Sequence, residues 1–318
     1  MTSPAHLAVS FGRRRACWHA GVLLAVLLGG LYLVRRHWPA LENGAWRLAG
    51  ADRGWLLAGA AAAVGTWAAS ALAQQGAVVR RLPRGRLVAA QFAASAAGHL
   101  LPAGLGAGAV NLRFLMRCGL PAGRAASALV VKATAGATGR LALIAVLTPA
   151  CPGLLRLLRL LRISPTALAV TVGVLVLLAA LPASPWWGRC RRGLSAVLAD
   201  IRAVHISPVR AAALWGGSLA FAALHCLVLI AVTRAVALPL PPLQVALLYL
   251  AASSAAALLP TPGGLGSLDA ALALALTVSG APTVAAASAV LGYRLLTAWL
   301  PLLPGLCVLG VLVRRKAL

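Results

Sequence analysis

Ionisable side chains are scarce in this chain, and several of them stand inside apolar sequence. Lys132 and Arg140 lie in the apolar run from about Ala125 to Leu147, Arg294 in the run from about Val284 to Val313, and Asp269 just after a glycine-rich break. A charge in hydrocarbon is costly, so such residues pair with one another or mark the path of a polar substrate. Lys132 and Arg140 are eight residues apart, about 80° around a helix. They either line one polar groove, with Gly136 between them, or snorkel to the two interfaces. Arg113 and Arg117, one turn apart, suit a lipid phosphate or act as cytoplasmic anchors. Asp269 follows Ser267, a candidate N-cap, so its carboxylate falls in a first helical turn or contacts Arg294 or a cationic headgroup. His99 is expected to be a neutral, hydrogen-bonded histidine; the alternative is a pH-sensitive gate.

Other chemistry is poorly provided for. There are four acids, Glu42, Asp52, Asp200 and Asp269, and a paired-carboxylate hydrolase needs two of them together. The six cysteines are scattered, with no CxxC and no histidine at metal-ligand spacing, so neither a metal site nor a disulfide framework is expected. No GxxxxGK[ST] occurs, and no cofactor is expected.

The elements that position these residues must be membrane helices. The 318 residues are 61% hydrophobic and 10% charged, against roughly 25% charged in a soluble domain. The net charge of +25 suggests nucleic acid in a soluble protein, but here the arginines fall between apolar runs, so no nucleic acid is expected. Positive-inside topology and anionic lipid explain them. A span takes about 20 apolar residues. Full spans are predicted at about 17–34, 54–75, 125–147, 166–181, 211–236 and 284–313, with an amphipathic segment at 154–163 and a basic loop at 189–210. Residues 1–16 form a cytoplasmic N-terminus, 17–313 one transmembrane domain and 314–318 a basic tail. Trp38, Trp46, Trp55, Trp186 and Trp187 are expected at interfaces.

The sequence also repeats itself. Residues 93–102 (AASAAGHLLP) and 251–260 (AASSAAALLP) are identical at seven of ten positions, and each precedes a glycine-rich break. The breaks carry Pro102, Gly104 and Gly106 in the first case and Pro262, Gly263, Gly264 and Gly266 in the second. Irregular backbone at membrane depth is tolerated only inside protein or beside water. Each repeat, about 54–149 and about 209–310, is therefore read as a re-entrant helical hairpin with its tip near mid-membrane, plus full spans. The tips are candidate anion sites, because half-helix N-termini expose peptide N–H groups. Arginines flank the first hairpin, whereas no Lys or Arg occurs from Ala235 to Tyr293. The two hairpins are thus expected to enter from opposite faces, in an all-α polytopic fold of six full spans and two hairpins. An eight-span arrangement is the alternative.

These residues resemble a known family. Pro260-Thr-Pro-Gly-Gly-Leu-Gly-Ser-Leu-Asp269, then Gly280 and Gly292-Tyr-Arg-Leu-Leu296 before a proline-interrupted last span, together with the Pro102 to Arg117 stretch, resemble the lysylphosphatidylglycerol synthase transmembrane family over about residues 15–315. That family contains the flippase half of the multiple peptide resistance factor. It usually has Glu where Asp269 stands, and an acidic–basic pair where Val131-Lys132-Ala133 offers no acid. The resemblance implies a multi-pass protein of a bacterial cell membrane that handles lipid, without the aminoacyl transferase domain fused in the best-known members.

A lipid translocase is therefore the leading expectation. A headgroup, anionic or aminoacylated, would slide along a groove of Arg113, Arg117, Lys132, Arg140, Asp269 and Arg294 while its acyl chains stay in lipid. A membrane transferase and a non-catalytic partner of a lipid or glycan synthesis enzyme are the alternatives, and homo-oligomerisation is left open.

Overall fold

A computed structural model describes residues 46–100, 105–151, 197–257 and 266–314. The spans expected at 17–34 and 166–181, the amphipathic segment at 154–163, and Pro102, Gly104, Pro262, Gly263 and Gly264 lie outside the described residues, which are helical throughout and contain no strand.

The helices are α1 (Arg53–Gly76), α2 (Arg84–Leu100), α3 (Leu105–Arg117), α4 (Ala122–Leu147), α5 (Pro208–Ala235), α6 (Pro242–Ala257), α7 (Ser267–Val278), α8 (Thr283–Arg294) and α9 (Leu300–Arg314). Among the described residues, four stretches are long and apolar enough to cross a membrane: Arg53–Gly76, Ala122–Ala150, Pro208–Ala235 and Thr283–Leu312. Between them sit pairs of shorter helices. At 1.5 Å per residue, the 13 residues of α3 reach about 20 Å, well short of a 30 Å hydrocarbon core. The order long helix, short pair, long helix therefore occurs twice. Residues 197–205, expected in a basic loop, are helical instead; the one arginine among them, Arg202, is compatible with an exposed helix face.

Local sequence explains most boundaries. Asp52 caps α1 by accepting from the Gly54 and Trp55 N–H groups at 2.7 and 3.2 Å. Beyond α1, the Gln75 side chain fixes the turn, donating to the Arg80 carbonyl and accepting from the Leu82 N–H. Pro208 opens α5 at the position where its missing N–H costs nothing. In the last long helix a π-helical segment, Leu295–Trp299, joins α8 to α9. Pro301 and Pro304 follow it, and their absent N–H groups and ring clashes displace the regular ladder upstream.

The packing axis of the molecule is α1 against α5. Small residues let the two backbones touch, as helix association in lipid requires. A Cβ on Gly76 would strike the Leu214 backbone, and one on Gly217 would lie 2.5 Å from the Ala73 nitrogen. Farther along, Gly65 faces Leu224 and Gly59 faces Ala231, so the two helices run antiparallel. Hydrogen bonds close both ends, from Asp52 N–H to the Ala235 carbonyl at 3.1 Å and from Arg210 Nη1 to the Val79 carbonyl at 3.4 Å.

Each short pair packs at a different end of this axis. The core of the first joins Leu87, Phe114 and Leu115 to Val78 and Leu82, next to the C-terminal end of α1, and to Leu312 of α9. Where α3 starts, Gly106 lies against the Ala97 carbonyl, and no side chain fits there. The second pair joins Val245, Leu272 and Leu276 to Val232, Leu238 and Leu240, at the C-terminal end of α5. Because α1 and α5 are antiparallel, the two pairs open toward opposite ends of the molecule. Arg80, Arg84, Arg86, Arg117, Arg124, Arg210 and Arg314 gather at the first of these ends.

Candidate functional site

Lys132 lies ten residues into α4, about 15 Å along the axis from its start, within a stretch long and apolar enough to cross a membrane. Its ammonium donates to Ser70 Oγ of α1 at 2.9 Å and to Gln91 Oε1 of α2 at 3.2 Å. Ser70 also donates to Gln91 Oε1 at 2.8 Å, while Gln91 Nε2 donates to Asn111 Oδ1 of α3 at 2.9 Å. Asn111 Nδ2 completes the chain by donating to the Ala107 carbonyl at 2.9 Å. One polar network thus ties α1, α2, α3 and α4 together around a cation. All of its partners are neutral.

This network lines a cavity of about 260 Å³. Thr66 and Trp67 of α1, Ser95 of α2, Phe221 and His225 of α5, and Thr297 of the π-helical segment complete its wall. Trp67 packs against Phe92 at a centroid distance of 3.9 Å, the rings tilted by 33°. Aromatic faces and hydroxyls therefore surround a single ammonium, in a space that elements of both halves enclose. A second, basic cavity of about 280 Å³ lies at the arginine-rich end, lined by Arg80, Arg124 and Asp200.

Behind His225 runs a second network. Tyr293 Oη of α8 lies 2.9 Å from His225 Nδ1 and donates to Tyr249 Oη of α6 at 3.2 Å. The His225 and Tyr249 rings stack 5.8 Å apart, 9° from parallel. Arg140 lies close enough for its charge to act on His225, Cys226 and Tyr249. Its Nε is buried with no hydrogen-bond partner among the described residues, and a Cβ on Gly136 would meet open space.

Asp269 takes both of the roles expected for it inside the protein. It accepts from the Gly266 N–H at 3.0 Å and forms an ion pair with Arg294. Gly266, at φ +84°, holds the N-cap position of α7, and Ser267 is the first helical residue instead of the cap. The anion at this helix start is therefore the protein's own carboxylate. Gly106, the other described tip residue, is inside α3 and is used for close packing.

Of the six charged residues expected along the groove, the structure brings Lys132 to the cavity wall. Arg113 and Arg117 are exposed on α3, Asp269 and Arg294 bind each other, and Arg140 is near enough for its charge to act on His225. The charge of Arg294 reaches His99, whose Nδ1 is buried without a partner among the described residues. This differs from the hydrogen-bonded histidine expected there. Reasoning from charge passes over Ser70, Gln91, Asn111, His225, Tyr249 and Tyr293. Their signal in the sequence is a neutral polar side chain inside an apolar run.

Among the described residues no three His, Cys, Asp or Glu side chains gather as metal ligands. What the cavity can do chemically is hold an anion, through the Lys132 ammonium and the Ser95 hydroxyl. A family model described as the Lysylphosphatidylglycerol synthase TM region matches residues 18–305. No curated protein matches the chain.

Proposed function

As the chain belongs to the lysylphosphatidylglycerol synthase transmembrane family, we propose that this multi-pass membrane protein moves a phospholipid or a lipid-linked headgroup across the bilayer. The observation that carries this reading is Lys132, a cation within a long apolar helix that lines a cavity and has only neutral partners among the described residues. A structural cation in hydrocarbon would be matched by a carboxylate. An unmatched one beside a cavity suits a passing anion.

The arrangement of the halves supports the same reading. The short pairs act as re-entrant hairpins that enter from opposite faces, with the arginine-rich end in the cytoplasm by the positive-inside rule. The headgroup occupies the cavity between them while its acyl chains stay in lipid. Rocking of one half against the other along the small-residue α1–α5 contact exposes the cavity to each side in turn. Transport runs down a gradient or by mass action.

The test is reconstitution into liposomes carrying labelled phospholipids. Wild-type protein is expected to accelerate transbilayer movement over empty vesicles, and Lys132→Met to lose at least about tenfold of that rate. Equal rates for empty, wild-type and Lys132→Met vesicles would overturn the reading.

A further inference from the structure

The cavity also has a sign, and the sign selects among headgroups. The chain has four acids, and three are placed elsewhere. Asp52 caps α1 at the end of the molecule away from the arginine cluster. Asp200 lines the basic cavity at the arginine-rich end. Asp269 is held by Arg294 and the Gly266 N–H. Glu42 lies outside the described residues. No carboxylate among the described residues lines the cavity around Lys132; its polar surface is an ammonium, amides, hydroxyls and one imidazole, and the charge of Arg140 also reaches that imidazole.

We propose that this cavity takes a phosphate-bearing lipid headgroup without an amine and discriminates against aminoacylated headgroups. The proposal rests on the translocation reading for the place of the headgroup, and its ground is the charge distribution. A phosphodiester brought to Lys132 supplies the missing counter-ion, and one of its remaining oxygens accepts from the Ser95 hydroxyl, while the Thr66 and Thr297 hydroxyls stay bonded to the Ala63 and Tyr293 carbonyls. A lysyl ester on the same headgroup brings ammonium groups into a poorly hydrated space that already holds one. Among the described residues they find no acid there, and burying an unpaired charge beside a like charge is strongly unfavourable. Specificity of this kind comes from repulsion of the wrong ligand as much as from attraction of the right one.

The experiment is competitive binding to the full chain in phosphatidylcholine nanodiscs, with labelled phosphatidylglycerol as the probe. Competitors are unlabelled phosphatidylglycerol, a polyprenyl phosphate and lysylphosphatidylglycerol. Either or both of the amine-free lipids are expected to compete at least about tenfold better than the lysyl ester, and the better of the two identifies the natural class. Lys132→Gln is expected to weaken binding of the amine-free lipids and abolish the preference, and Lys132→Arg to keep it. Ser95→Asp places a carboxylate in the cavity wall and is expected to narrow or reverse the preference. Glu42→Gln is expected to leave it unchanged.

A wild-type protein that binds the lysyl ester as tightly as the amine-free lipids overturns the proposal, as does a Ser95→Asp protein with an unaltered preference or a Glu42→Gln protein that has lost it. If Ser95→Asp does not fold, the wild-type ratio decides alone. A preserved preference without transbilayer movement in liposomes would remove the translocation reading and leave the site's selectivity standing.

Discussion

Arg294 of α8 forms an ion pair with Asp269 in the first turn of α7, 25 residues earlier in the chain. The pair ties the second short-helix pair to the last long helix, and Arg294 is largely buried while Asp269 keeps about a third of its side chain exposed (7% and 31%). Removing one partner of a fully buried pair costs about 3–5 kcal/mol; the exposure of Asp269 lowers that here. Arg294→Gln is expected to destabilise by about 1–3 kcal/mol, with Asp269→Asn at least as costly because it takes the carboxylate from the more deeply buried guanidinium. The double variant should recover part of the sum. Thermal unfolding of the four proteins in detergent measures the coupling, and strictly additive losses would show that the pair contributes nothing.

The α1–α5 contact predicts opposite behaviour for two neighbouring glycines. A Cβ on Gly217 meets backbone atoms of α1, which cannot yield, whereas one on Gly216 meets nothing within 4 Å. Gly217→Val should therefore separate the helices, at a cost of about 1–3 kcal/mol or more, and lower the yield of folded protein. Gly216→Ala should be neutral or stabilising by up to about 1 kcal/mol through helix propensity. Folded yield and melting temperature in one detergent compare the two.

These two cases mark what the sequence discloses. Charges in apolar runs are rare and loud, so Asp269, Arg294 and Lys132 stand out, and the Pro–Gly breaks place the short pairs between long helices. Partner choice is quieter. Lys132 bonds to Ser70 and Gln91, 62 and 41 residues away, and both are inconspicuous in Ala-rich helices. Which neutral polar group faces the cation depends on how α1, α2 and α4 pack together, a tertiary property spread over many small residues. Arg113 shows the converse. Its spacing suits a phosphate, but α3 turns Phe114 and Leu115 to the core and leaves Arg113 outside. Pro301 and Pro304 announce a disturbed helix, while the π-helical response at Leu295–Trp299 is a backbone adjustment that residue types do not encode.

Opposite orientation of the halves is testable at the first turns of the two short pairs. Gly85 in α2 and Leu243 in α6 are both exposed, and no atom lies within 4 Å of a Cβ on Gly85. In a cysteine-free background, Gly85→Cys is expected to react with an impermeant maleimide only from the cytoplasmic side. Leu243→Cys should react only from the other side, and Ile206→Cys should follow Gly85→Cys. Labelling of Gly85→Cys and Leu243→Cys from the same side would remove the inverted arrangement.

Gln91 separates the structural part of the Lys132 network from its functional part. Its Oε1 accepts from both Ser70 and Lys132, and its Nε2 donates to Asn111. Gln91→Leu removes all three bonds and leaves Asn111 Oδ1 without its donor. The expected cost is about 1–3 kcal/mol of stability, together with slower lipid movement because the ammonium is no longer held in place. Gln91→Glu keeps the shape and gives Lys132 a carboxylate within hydrogen-bond reach. Stability should then stay near that of wild type, while capture of an anionic headgroup falls by at least about tenfold, because the counter-ion place is filled. Melting temperature and transbilayer rate, read on the same two proteins, distinguish the cases. A Gln91→Glu protein that moves lipid at the wild-type rate would show that the charge of Lys132 plays no part in transport.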